Sequence, residues 1–123
     1  MTHRIERIES LIKQEISQII LFKLHDPVFG FITVTNVKVS PDLKLAKIYF
    51  SVFEKEKRKM VLEKLQEVSG LVRSELGSRI RLRHVPDVKF YIDDTLDYVE
   101  KIENLIKKIH ENHSSILRNF IRN

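Results

Sequence analysis

The chain has 123 residues, a formal charge of +5, no cysteine and 42% apolar residues. That length and composition predict one globular domain with a real core, and they exclude a disulfide framework or a thiolate metal site. No uninterrupted apolar run approaches the ~18–20 residues of a membrane span, and the opening MTHRIERIES alternates charge with isoleucine where a signal peptide would be apolar. A soluble, cytosolic protein is expected. An isoelectric point near 9.5 suits an anionic partner.

Ile5, Ile8, Ile12, Ile16, Ile19 and Ile20 recur at helical spacing and predict an amphipathic helix from Thr2 to about Leu24. Isoleucine is β-branched, so packing rather than propensity must hold that helix. Pro27 and Gly30 in HDPVFG end it. Ile32–Ser40 and Leu45–Phe53 read as strands joined by the turn Ser40-Pro41-Asp42-Leu43-Lys44. In the second strand Ala46, Ile48, Phe50 and Val52 share one face, while Lys47, Tyr49 and Ser51 share the other. In the first strand the apolar set changes parity between Val34 and Val37, which predicts a β-bulge near Asn36.

Residues 57–92 follow, and the rest of the chain is organised around them. Val61, Leu65, Val68, Val72, Leu76 and Ile80 form one helical stripe that keeps phase through Ser69-Gly70, so two helices are expected to meet at a bend near Gly70. After Ile80 the period changes to 2: Arg79, Arg81 and Arg83 alternate with Ile80, Leu82 and His84, and Val88–Ile92 reads as a third strand. This unit holds 9 basic and 4 acidic side chains, a surplus of 5 that equals the charge of the whole chain. A basic excess gathered in one unit is the footprint of a nucleic-acid partner, and equally the signature of a solvated helix face. Asp93-Asp94-Thr95 then caps a last helix from about Leu96 to Ile109, with Val99, Ile102, Ile106 and Ile109 as its buried stripe. Asn112–Ser115 interrupts the pattern before a short amphipathic tail, Ile116–Ile121. The division expected is 1–110 for the domain and 111–123 for the tail. The order αββααβα predicts an α+β fold, with helices on one face of a three-stranded sheet.

Chemistry is sparse. The chain has no phosphate-cradling G-x-x-x-x-G-K-[ST] run, no G-x-G-x-x-G after a strand and no nucleophile elbow. Asp93, Asp94 and Asp97 carry the oxygen ligands Mg²⁺ needs, but helix capping accounts for them more simply. His110 and His113 lack a third zinc ligand nearby. No catalytic residue, metal or cofactor is expected. The cations offer more. In extended chain Arg79, Arg81 and Arg83 would project from one side about 6.5–7 Å apart, on the scale of successive phosphates, and guanidinium forks bind phosphate in pairs of hydrogen bonds. Arg73 and Lys89 extend the patch. Tyr49, Phe53 and Tyr91 could stack on bases, although strand aromatics more often serve the core.

The chain resembles the ribosome-binding factor A family. The likeness rests on Arg4…Arg7-Ile8 with Glu15-Ile16-Ser17, on Asp26-Pro27-x-x-Gly30, and on Val34-Thr35-x-Val37-x-Val39-Ser40-x-Asp42-Leu43 running to Ala46-Lys47-Ile48-Tyr49. It continues in Ser69-Gly70-x-x-Arg73, in Arg81-Leu82-Arg83-x-x-Pro86 with Phe90 and Asp93, and in Ile102–Ile106. The resemblance implies a type II KH-like fold with a kinked Ala-x-Gly helix pair in place of the G-x-x-G loop. Gly70 and Gly77 stand too far apart for that loop, which clamps single-stranded RNA in KH domains. The chain departs from the family in having Val68 where alanine is usual, and Val28 where a basic residue is common.

The function implied is binding of the immature 30S subunit through 16S rRNA, with roles in 5′-end processing and cold adaptation, and without catalysis. Arg73, Arg79, Arg81, Arg83 and Lys89 are the expected RNA contacts, and Ser69 and Gly70 the kink. No membrane or small-molecule partner is expected, and the protein should be a monomer. Two other readings are an independent KH-type RNA binder and a protein-interaction module using the C-terminal tail.

Overall fold

The computed structural model describes the backbone of Thr2–Arg122, with side-chain surroundings for residues 3–29 and 32–111. The chain divides into two compact units, Met1–Asp93 and Asp94–Asn123.

The first unit runs α1 (Thr2–Phe22), β1 (Ile32–Val39), β2 (Leu45–Val52), α2 (Arg58–Glu67), α3 (Ser69–Arg79) and β3 (Asp87–Ile92). The sheet order is β1-β2-β3, with β2 antiparallel to β1 and parallel to β3. The isoleucine stripe of α1 is buried at Ile12, Ile16, Ile19 and Ile20. Each such side chain contributes roughly 1.5–3 kcal/mol relative to exposure, which is how a helix of mediocre formers is held. Ala46, Ile48, Phe50 and Val52 of β2 face the same core, as do Val61, Leu65, Val72, Leu76 and Ile80. The bulge falls where the change of parity places it: pairing passes from Val34↔Phe50 to Asn36↔Tyr49, and Thr35 is left over. At the far end of β1 the Glu9 carboxylate of α1 accepts the Val39 N–H at 2.8 Å.

Two expectations about this unit change. The break between α2 and α3 falls at Val68 (φ −96°, ψ 7°), which closes α2 and opens α3. Gly70 lies two residues later, inside α3, without positive φ. Ser69 Oγ donates to the Gln66 carbonyl at 2.9 Å across the break, supplying a local partner where the helical ladder is interrupted. Second, the period-2 run of Arg79, Arg81 and Arg83 is not one extended segment: Arg79 is still helical, and Ile80–Pro86 is loop leading to β3.

Asp26 ties the linker after α1 to α2. Its carboxylate accepts from the Val28 N–H and from Lys64 Nζ, both at 3.0 Å. The Val28 backbone bond and then the Lys64 bond hold its pKa below the ordinary value.

The second unit is one helix, α4 (Thr95–Arg122). The pause expected at Asn112–Ser115 does not occur: asparagine, histidine and serine are only weak helix formers, and the segment has no proline or glycine to break the ladder. The stripe expected to be buried is also different, since Val99, Ile102, Ile106 and Ile109 are exposed. Whether the Ile116–Ile121 side chains dock lies outside the described residues.

Candidate nucleic-acid interface

The expected row of three arginines does not form. Arg79, in the last turn of α3, turns back onto α1. Its Nη1 lies 3.3 Å from both Glu15 Oε2 and Gln18 Oε1, and its Nε lies 3.4 Å from Glu75 Oε1. The Arg79 and Glu15 side chains are only 23% and 19% exposed. Arg79 thus joins two helices. Arg73 is also engaged: Nη2 donates to the Val85 carbonyl at 3.0 Å, and Nε lies 3.3 Å from Asp87. It steadies the loop 80–86 against α3. That loop presents Arg81 and Arg83, both exposed and without an ion pair among the described residues. Lys89, on β3, is exposed and unpaired in the same sense. Of the five expected cations, three are therefore available to an outside anion, and two position the surface.

Close packing fixes the loop. A Cβ on Gly77 would stand 2.9 Å from Val85 Cγ2, so α3 approaches residue 85 only because position 77 has no side chain. Beside it opens a cleft of about 660 Å³ lined by Arg4, Lys44, Arg73, Arg83 and His84 against Asp42 and Asp87. Both carboxylates are already occupied. Asp87 faces Arg73, while Asp42 accepts from the Ser40 hydroxyl at 2.6 Å and the Lys44 N–H at 3.1 Å. The Ser40 bond, then the Lys44 bond, lowers the Asp42 pKa. The hairpin that delivers Lys44 turns through Leu43 at φ 60°, a strained position for a bulky residue, and the Leu43 side chain packs against the core. With Arg73 already paired to Asp87, the cleft leaves Arg4, Lys44 and Arg83 against Asp42, an arrangement suited to phosphate.

The open face of the sheet carries a second basic group. Cross-strand register aligns Lys38 with Lys47, and Lys47 with Lys89. The adjoining row is Asn36, Tyr49 and Tyr91, with the two rings stacked at 5.6 Å between centroids. Phe53, just beyond β2, is 85% exposed. Sequence reasoning does not single out Lys38 and Lys47. Their signal is alternation within each strand, but the row appears only once register is known. On the other side of β3, Gln66 and Ser69 at the helix break and Val88–Tyr91 line a groove of about 350 Å³. In a KH domain the G-x-x-G loop and the neighbouring strand clamp RNA; here a helix break stands beside the strand instead.

Fold and surface define a small KH-like domain with a cationic end and no G-x-x-G loop. The model of the ribosome-binding factor A family matches residues 4–106. Ribosome-binding factor A of Brevibacillus brevis is 45% identical over 107 residues, covering 86% of this chain and 88% of that protein. The chain belongs to the ribosome-binding factor A family. The crystal structure of ribosome-binding factor A from Thermus thermophilus superposes with a TM-score of 0.66 at 25% identity, covering 72% of this chain and 94% of that one. Coordinates of the Thermus thermophilus factor fitted into a cryo-EM map of a 30S complex give 0.60 at 26% identity, covering 71% and 92%.

Proposed function

We propose that this chain binds the immature 30S subunit through 16S rRNA and assists its maturation, including 5′-end processing and growth in the cold. In this reading it is a cytoplasmic, monomeric assembly factor without catalytic activity or cofactor. One observation carries the reading: Arg81 and Arg83 stand exposed and unpaired among the described residues, on a loop braced by Arg73, next to a cleft with surplus positive charge. Family membership and the neighbour fitted to a 30S map support the partner.

The mechanism is electrostatic. Arg4, Lys44, Arg81 and Arg83 meet backbone phosphates of structured rRNA, while Arg73 and Arg79 keep loop and helices in place. Neutralising about four or five phosphates gives a slope of log affinity against log salt of about −3 to −5. Arg81→Glu with Arg83→Glu is expected to abolish co-sedimentation with 30S particles and leave the circular dichroism spectrum unchanged, since both side chains are exposed. Retained co-sedimentation by the folded double variant would overturn the reading.

A further inference from the structure

The open face of the sheet sets three like charges side by side across all three strands. Like charges directly opposite one another destabilise a sheet, and Lys38, Lys47 and Lys89 have no carboxylate partner among the described residues. The two carboxylates at the ends of the face are both engaged: Asp87 with Arg73, and Asp93 with the Thr35 hydroxyl. Neither pairs with a lysine of the row. Next to the row lies the Tyr49–Tyr91 stack, its planes 29° apart. Tyr91 is 39% exposed, and Lys47 Nζ lies 6.0 Å from its ring centroid. The face thus carries a cationic row without ion pairs among the described residues, beside a partly open aromatic platform.

We propose that this face binds a single-stranded RNA segment, its phosphates along Lys38, Lys47 and Lys89 and a base on the Tyr91 ring. The inference deepens the rRNA reading and rests on it; it adds a surface separate from the Arg81–Arg83 loop. A polyanion relieves the repulsion along the row. The partly exposed Tyr91 ring, with Tyr49 stacked beside it, favours a single strand, because duplex bases are already stacked on one another and A-form grooves hide them from a flat platform. An acidic peptide would satisfy the lysines and leave the rings without a role.

The test uses the full chain, a single-stranded oligouridylate of ~8 nucleotides and an A-form RNA hairpin. The sequence has no tryptophan, so tyrosine emission is readable, and Tyr98→Phe removes the third tyrosine from the background. The single strand is expected to quench the remaining emission and to bind more tightly than the hairpin at equal salt. Tyr91→Ala should weaken single-strand binding roughly tenfold, while Tyr91→Phe should retain it, because stacking needs a ring and not a hydroxyl. Equal affinity of the Tyr91→Ala and parent chains, or polyglutamate binding as tightly as the oligonucleotide, would overturn the inference. The 30S reading is judged separately: loss of co-sedimentation in the Arg81→Glu/Arg83→Glu chain upholds it whatever the oligonucleotide shows.

Discussion

The helical stretches on either side of β3 have the same kind of sequence and opposite surroundings. Both α2–α3 and α4 place apolar residues every three or four positions. Along α2–α3 the stripe is buried at Val61, Leu65, Val72 and Leu76; along α4 the corresponding residues face solvent. Periodicity announces a face that wants cover, and the cover is supplied elsewhere in the chain or outside it.

Point changes separate the two stretches most widely at their apolar positions. Leu76→Ala removes a fully buried side chain and should cost about 2–5 kcal/mol in urea or thermal unfolding. Ile106→Ala, at a residue 52% exposed, should stay within about 0.5 kcal/mol. Equal costs would abolish the contrast.

The two glycines of α3 sharpen it at smaller scale. Gly77→Ala drives a Cβ against Val85, and crowding should outweigh the gain in helix propensity by ~1 kcal/mol. Gly70→Ala meets nothing within 4 Å and should stabilise by about 0.5–1 kcal/mol. A reversed pair of melting shifts would show that Val85 yields freely.

The smallest effect is acidic. A carboxyl held below its ordinary pKa by folding contributes stability above its unfolded value, and that contribution fades as pH falls through the folded one. Asp26, bonded to Val28 and Lys64, has its pKa lowered in this way. Its share should be present at neutral pH and fade below about pH 4. Asp26→Asn should flatten that part of the stability–pH curve, with α4 untouched.

Most of the fold is legible in the sequence because each element carries its own local signal. The β-branched and aromatic run Val88–Ile92 announces β3, and the parity switch at Val34 and Val37 locates the bulge. The interface is less legible because its key facts are not local. Arg79 reads as free in sequence until α1 brings Glu15, 64 positions away, alongside it. The Lys38–Lys47–Lys89 row depends on strand pairing, which alternation alone does not fix. Sequence points to the flexible residue, Gly70, as the bend, whereas the backbone departs from the helix at Val68. On α4, spacing foretells an apolar stripe and carries no information about what would cover it.

The bond from Glu9 to the last N–H of β1 has a further consequence. An outer strand with open hydrogen-bonding groups is a template on which another chain can extend the sheet. Here a carboxylate occupies one such donor, and the bulge at Thr35 breaks the regular spacing that an incoming strand would have to match. One donor and the regular spacing of that border are thereby denied to a chain that would extend the sheet.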